Sequence, residues 1–475
     1  MIYINNLLSY EIEYKDPLLL FSYFAEENWS MFLDSADVLK EPNTTNRYSF
    51  IVFDPFLKIT YKDSVITCND KKHSCNNPFD FLEDILKNYS IKTLINHPPF
   101  QGGIVGYFSY DLCHYLEKIP YPEQDDMKFY DMAIGMYDTV ISFDHKQKKA
   151  WIVSTGLPES DLDKQQKRAK QRLDSTLERI SNTKSLSVSN FLPLKSSEIT
   201  SNFSKKSYME AVTKVVEYIR AGDIFEANLS QRFKAPLPLS ATPFQLYCKV
   251  RERNASPFAS YIKIDDIVIA STSPERFLLL KNGIVETRPI KGTRMRSKNT
   301  TEDKILAQEL KDSAKDNAEN VMIVDLMRND LSKVCEEGSI SVPQLCGLET
   351  FATVHHLVSV IKGKIKPNFS AINLLRACFP GGSITGAPKI RAMQIIAELE
   401  PNRRGPYCGS IGYIGFDNSL DTSIVIRTYV IKNNVVTFQA GGAVVLDSDP
   451  QAEYIETLGK AQALLNVLLD GGNTA

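Results

Sequence analysis

Short apolar runs, rich in β-branched and aromatic side chains and parted by turn residues, dominate the first 155 positions: RYSFIVFDPFLKITY (47–61), GGIVGYFSY (102–110), MAIGMYDTVISFD (132–144) and KAWIVST (149–155). Such runs predict strands, with helices near 16–27 and 79–89. Residues 158–181 are charged and helix-prone, and Ser and Thr then crowd 181–201, which reads as an exposed linker. The chain thus divides into an N-terminal lobe (1–180), a linker (181–201) and a second lobe (202–470). In the second lobe Ser207 and Glu210 have capping-box spacing. Val212, Val215, Val216 and Ile219 then share one helical face, and Gly222 supplies the stop. Strand patterns recur at 267–271, 275–281, 284–291, 408–416, 422–432 and 435–446. Helical patterns recur at 302–328, 370–377, 387–399 and 450–469. Strands and helices mix without a regular β-α alternation, so the expected class is an α/β (α+β) sandwich of large sheets rather than a barrel.

Composition narrows the function. The 475 residues are 43% apolar and 24% charged with a formal net charge of −2, enough for a large core and too balanced for a nucleic-acid or anionic-membrane partner. An anionic ligand must therefore be held by local groups. The eight cysteines form no C-x-x-C pair, which favours reduced thiols in a cytoplasmic protein over a disulfide framework or a zinc site. The first residues lack the basic stretch of a signal peptide, and no apolar run reaches the roughly 18 residues that a membrane span needs.

Five features carry candidate chemistry, each with a plainer reading beside it. PGGSITGAPK (380–389) has P-loop glycine spacing, but Ala387-Pro388 stands where Lys-Ser/Thr is required, so a nucleotide loop is rejected. It is either a structural turn or a helix-opening cradle for a carboxylate. AGGAVV (440–445) is a small-residue turn, a close-packed strand end or a row of amides facing an anion. Glu453 and Glu456 share a face of the last helix, after Asp449 as N-cap and Pro450, and Asp316 and Glu319 repeat the spacing. Brought together they would suit magnesium; left apart they are acids at helix starts facing water. Lys291, in TRPIKGT (287–293), is a desolvated nucleophile or a surface ion-pairing lysine. His355 and His356 are adjacent and point different ways, so they make no metal pair; one is a general acid or a buried, hydrogen-bonded residue. No glutaminase triad is visible.

The order of the motifs is more specific than any one of them. SPERF (273–277), RPIKGT (288–293), Glu319 with DLMRNDL (325–331), HHLVS (355–359), PGGSITGAPK, CGSIGYIGF (408–416), TSIVIRT (422–428), AGGAVV and AEYIET (452–457) resemble, in sequence order, the chorismate-utilising enzymes. RYSFIVFDP (47–55), GGIVGYFSYDL (102–112) and YIRAGDIFEANLSQRF (218–233) extend the resemblance over most of the chain. It implies a two-lobed fold of large antiparallel sheets with the active site in a cleft. By the same resemblance Glu319 and Glu456 are magnesium ligands, with Asp316 and Glu453 beside them. Tyr407, Arg427 and the backbone of Gly441, Gly442 and Ala443 bind substrate carboxylates, Gly292, Thr293 and Ser383 line the pocket, and His356 lies near the ring and its leaving hydroxyl.

Lys291 separates two branches. Anthranilate synthases carry PIAGT, whereas aminodeoxychorismate synthases carry PIKGT, as here. In the second branch the lysine is the proposed nucleophile and Glu275 the acid that helps the hydroxyl leave, and ammonia comes from a separate glutamine amidotransferase subunit. The expectation is therefore amination of chorismate to 4-amino-4-deoxychorismate, for 4-aminobenzoate and folate synthesis. The alternatives are anthranilate synthase component I and, in another class, a non-catalytic chorismate- or tryptophan-binding regulatory subunit. The family's N-terminal lobe can hold tryptophan, and Ser35, Arg47, Tyr48, Pro257 and Phe258 occupy comparable positions, although LLSY (7–10) has tyrosine for an acid. Three further departures stand out: Ala443 for a third glycine, Glu226 for glutamine, and Asn320 where histidine is common.

Overall fold

The computed structural model describes residues 2–4, 6–37, 45–181, 188–351 and 354–471. Within them two large antiparallel sheets face each other. The first runs, strand by strand, Ile2–Ile4, Leu7–Ile12, Lys149–Ser154, Thr139–Asp144, Tyr48–Val52, Ser30–Asp34, Phe258–Ile264, Ile267–Ser273, Thr428–Lys432, Val435–Val444, Glu226–Pro236 and Thr200–Ser201. The second runs Ile290–Met295, Val354–Lys364, Ile284–Thr287, Arg276–Lys281, Leu420–Ile424, Ser410–Gly415, Gly103–Phe108, Met132–Tyr137, Leu57–Lys62, Val65–Cys68 and Lys71–Ser74. The sandwich expected from the mixed pattern is the fold observed. Each sheet takes strands from both sides of 181–201, so that stretch divides the sequence but not the sheets; residues 182–187 of it lie outside the described residues.

Apolar side chains explain the layering. Met31, Phe50, Ile262, Ile269 and Val430 from the first sheet pack against Val105, Tyr107, Ile411 and Tyr413 from the second in one shared core. The outer face of the second sheet buries Ile323, Met327, Leu374 and Leu375 from helices Ala314–Ser332 and Ala371–Cys378. The outer face of the first buries Leu173, Leu246, Leu464 and Leu468 from helices Leu162–Ser181, Pro243–Arg253 and Pro450–Leu469. With both faces covered, strands such as Met132–Tyr137 and Thr139–Asp144 are buried along their whole length.

Several local expectations change. The helix expected over 302–328 is two, Thr300–Asp312 and Ala314–Ser332, because Ser313 caps the second by accepting from the Asp316 N–H. The helix expected near 16–27 is only Pro17–Phe21. The capping box lies at Ser204 and Ser207, three residues before the Ser207–Glu210 pair, and opens Lys205–Arg220. The strand expected over 422–432 is split. Leu420–Ile424 belongs to the second sheet and Thr428–Lys432 to the first, with Arg427 at a φ of +54° at the crossing. AGGAVV is, as its plainer reading had it, the close-packed end of the strand expected over 435–446: Gly441, Gly442 and Ala443 lie inside strand Val435–Val444, opposite Ser230, Leu229 and Asn228.

Candidate active site

Strand Ile290–Met295 pairs with Val354–Lys364, and the register slips by one residue: Lys291 lies opposite Leu357 and Thr293 opposite His356. Gly292 is the extra residue, with a φ of +76° that glycine adopts without strain. A Cβ there would stand 2.9 Å from Leu310 and 3.0 Å from Asp316, so the bulge and the nearby helices fit only around a glycine.

The bulge sets Lys291 in a buried position. Its Nζ donates to Glu226 Oε1 at 2.7 Å, and Glu226, at the start of Glu226–Pro236, has no exposed surface. Burial alone would lower the lysine, but Glu226, Glu319 and Glu275 outweigh it and hold its pKa above the ordinary value. Glu226 Oε2 is buried without a hydrogen-bond partner. Sequence reasoning noticed Glu226 as a departure but did not place it in the site; an acid standing where glutamine was expected was the available signal.

Glu275 precedes strand Arg276–Lys281. Its Oε1 accepts from Ser383 Oγ at 2.7 Å and from the Ile290 N–H at 3.4 Å. Burial raises its pKa to about 7 against the pull of those donors and Lys291, so near neutral pH it holds a transferable proton. Ser383 comes from the short 3₁₀ turn Gly382–Ile384 of PGGSITGAPK; Lys389–Leu399 follows as the helix.

His356 Nδ1 is 2.9 Å from Thr293 Oγ1 and 3.4 Å from the Gly292 carbonyl oxygen. Burial, with Arg427 nearby, lowers its pKa to about 4, so it is a neutral imidazole at pH 7. His355 points elsewhere, to Thr350 Oγ1 at 2.9 Å and Asp303 Oδ1 at 3.0 Å. Arg427 is a largely buried cation with no hydrogen bond or ion pair from its guanidinium among the described residues, and burial lowers its pKa with only Tyr407 opposing. Its carbonyl oxygen accepts from the Thr272 N–H and Oγ1. An unpaired cation in low dielectric is a standing receptor for a carboxylate.

The acids come from two helices. Ala314–Ser332 packs on the strand pair that bears Lys291 and His356 and carries Asp316 and Glu319. Asp316 accepts from Arg294 at 3.3 Å, while burial, then Glu226 and Asp316, raise Glu319 to about 7 against Lys291 and Lys315. Asn320, the departure beside it, donates to the Leu357 carbonyl oxygen at 3.2 Å and accepts from Ser359, fastening this helix to the strand of His356. On Pro450–Leu469, Glu453 Oε1 accepts from Ser448 and its Oε2 is a buried oxygen without a partner; Glu456 pairs with Lys460 at 2.7 Å. A Cβ on Gly442 would lie 3.0 Å from Glu453 Oε2 and 3.4 Å from Glu456 Oε1, so both carboxylates converge on that glycine. Past Thr437 its strand pairs on one side with Glu226–Pro236 and has no strand on the other, which leaves alternate N–H groups of 438–444 without a strand partner. Among the described residues no group of three or more His, Cys, Asp or Glu side chains stands close enough to hold a metal. Magnesium commonly takes only one or two protein carboxylates and completes its shell with water and substrate, so hard oxygens with an unpartnered atom suit it without a closed cage.

Ser35, Arg47, Tyr48, Pro257 and Phe258 all line one separate cavity, together with Phe50, Arg276 and Tyr413. Ser35 Oγ donates to the Tyr48 carbonyl oxygen, Arg47 is held by Asp144, and the Arg276 guanidinium lies 5.1 Å from the Phe258 ring centre. Arg276 follows Glu275 in the chain, so this cavity and the Lys291 site meet at adjacent residues. Among the described residues no helix is long and apolar enough to cross a membrane.

Residues 34–466 match the family model described as chorismate binding enzyme. Aminodeoxychorismate synthase component 1 of Escherichia coli (strain K12) is 38% identical over 452 residues, covering 94% of this chain and 95% of that protein. Anthranilate synthase component 1 of Bacillus subtilis (strain 168) is 37% identical over 452 residues, covering 92% and 86%. The crystal structure of anthranilate synthase component I from Streptococcus pneumoniae TIGR4 superposes with a TM-score of 0.77 at 32% identity, covering 90% of this chain and 94% of that one. With matches of this length and identity to enzymes of one kind, the chain belongs to the chorismate-binding enzyme family.

Proposed function

We propose that this chain is the component of an aminodeoxychorismate synthase that replaces the 4-hydroxyl of chorismate with an amino group. The observation that carries the reading is Lys291, a primary amine set by a strand bulge into a buried position beside Glu226 and Glu275. A family member with alanine at this position has no such nucleophile. In the proposed sequence the neutral Lys291 amine bonds to ring carbon two, both ring double bonds shift round the ring toward carbon four, and the carbon-four hydroxyl leaves as water with the proton held on Glu275. Ammonia then bonds to carbon four and the lysine leaves. Arg427, Tyr407 and the 441–443 backbone bind substrate carboxylates, and neutral His356, positioned by Thr293, hydrogen-bonds near the ring. Magnesium, held by Glu319 and Glu456 with Asp316 and Glu453 beside them, would neutralise carboxylate charge on the bound substrate. Ammonia is supplied by a glutamine amidotransferase subunit.

The test incubates purified protein with chorismate, magnesium and an ammonium salt near pH 8, with the 4-aminobenzoate-forming lyase added. 4-Aminobenzoate without anthranilate is expected, and Lys291→Ala should abolish it. Anthranilate as the product would assign the chain to the other branch, and an undiminished rate in Lys291→Ala would remove the nucleophile. We also propose that the cavity at Ser35, Arg47, Tyr48, Pro257 and Phe258 takes tryptophan, because all five residues line one cavity with aromatic walls. Calorimetry on protein unfolded and refolded to strip bound ligand should show heat on adding tryptophan; no heat would sink that assignment.

A further inference from the structure

We infer that Glu226 is the proton acceptor that turns Lys291 into a nucleophile, a role resting on the amination reading above. A lysine attacks carbon only as the neutral amine. Here the ammonium is enclosed: Lys291 is 8% exposed, and it donates to a carboxylate with no exposed surface. The acids around it come from four elements: Glu226 on its strand, Glu275 ahead of Arg276–Lys281, Glu319 on Ala314–Ser332, and Glu456 on Pro450–Leu469. Losing the proton to solvent would leave the Glu226 carboxylate, which has no exposed surface, without its cation. Transfer within the pair avoids this. The Nζ–H bond breaks, an Oε–H bond forms on Glu226, and the nitrogen keeps the electron pair that bonds to the ring. The pair has zero net charge before and after, so neighbouring anions, including the carboxylates of the substrate, oppose the transfer only weakly. At rest the surrounding acids keep Lys291 charged; the transfer runs against that bias and is drawn forward as the nitrogen's electron pair bonds to the ring. When ammonia displaces the lysine, Glu226 returns the proton to Nζ and the pair is reset.

Position and hydrogen bonding support the assignment. Glu226 pairs with Ala387 across the sheet, which ties it to the end of PGGSITGAPK, and Glu226 Oε1 is 2.7 Å from Nζ. Glu226 Oε2, with no partner, has a free lone pair for a second proton position. The glutamine that relatives were expected to carry here can accept a hydrogen bond but not a proton.

The experiment compares wild type, Glu226→Gln, Glu226→Asp and Lys291→Ala in two readouts. The first is kcat for 4-aminobenzoate formation with ammonium, magnesium and the coupling lyase, from pH 6 to 9.5. The second is the rate of reductive methylation of Lys291 by formaldehyde and cyanoborohydride over the same range, followed by peptide mass, which needs no turnover. With general-base assistance worth about 10²-fold or more, Glu226→Gln should lose at least that factor in kcat at pH 7 and regain up to tenfold per pH unit as solvent removes the proton. Glu226→Asp, with a carboxylate still in reach, should stay within about tenfold of wild type, which guards against loss through misfolding. Turnover in Glu226→Gln equal to or faster than wild type at pH 7, with faster methylation, would show that Glu226 merely holds the lysine charged and would overturn the proposal. Anthranilate from wild type, or full activity in Lys291→Ala, would instead strike the underlying amination reading, and the methylation profiles would still report whether Glu226 controls the Lys291 proton.

Discussion

Arg427→Gln should weaken chorismate binding while leaving the fold as stable as before, or more so. The two effects separate because of how Arg427 is held. Its guanidinium has no acid partner among the described residues, and burial pushes its pKa down. Folding therefore desolvates a charge without compensation, a cost that glutamine avoids. The left-handed backbone at this position, φ +54°, is equally awkward for arginine and glutamine, so that term cancels. Binding changes the other way. A hydrogen-bonded charge contact to a carboxylate contributes about 1.5–3 kcal/mol, which at about 1.4 kcal/mol per decade is a rise of about 10- to 100-fold in KM or Kd. Steady-state kinetics with the coupled lyase would give KM and kcat, calorimetric titration of chorismate the Kd, and thermal melts of ligand-free protein the stability. An unchanged Kd, or a melting temperature lowered by several degrees, would refute the reasoning, because Arg427 would then be serving the fold rather than the substrate.

Three further outcomes follow from the same geometry. Glu275 is protonated below about pH 7 and ionised above, so kcat should decline as pH rises through that value, and Glu275→Gln should be slow with this limb removed; a wild-type rate still rising at pH 8.5 would exclude Glu275 as the donor. Gly292→Ala forces a left-handed alanine against Leu310 and Asp316, and should lose about 1–3 kcal/mol in denaturant titration together with most activity; unchanged stability would show that the bulge relaxes freely. Glu319→Gln and Glu456→Gln should each weaken magnesium binding at least tenfold by calorimetry without a comparable fall in melting temperature, and normal magnesium affinity in both would remove these residues as ligands.

Much of this was legible in the sequence because local rules decide it. The cap at Asp449, the helix over 370–377, the strands of the first 155 residues and the helix after PGGSITGAPK all follow from adjacent residues. Ser313 and Asp316 likewise carried a readable capping signal inside what looked like one long helix. What escaped depends on distant partners. TSIVIRT reads as one strand because either half suits a sheet, and only the packing of two sheets makes the chain change layers at Arg427. AGGAVV reads as a strand end, as it is, but nothing adjacent to it in sequence shows that Gly442 leaves room for Glu453 and Glu456. The Glu226–Lys291 contact joins residues 65 positions apart, and no periodicity announces such a pair.

The interleaving of the sheets also sets an order of events on the ribosome. Strand Gly103–Phe108 has Met132–Tyr137 as one neighbour early, but its other neighbour is Ser410–Gly415, which is made about 300 residues later. At about 5–20 residues per second that edge waits roughly 15–60 s for its partner. Throughout that interval the nascent chain presents an unsatisfied, largely apolar strand edge, the kind of surface that seeks other chains. Yield in the cell should therefore depend on chaperone capacity and on translation speed through the middle of the message, even though the finished sandwich hides every trace of the exposed edge.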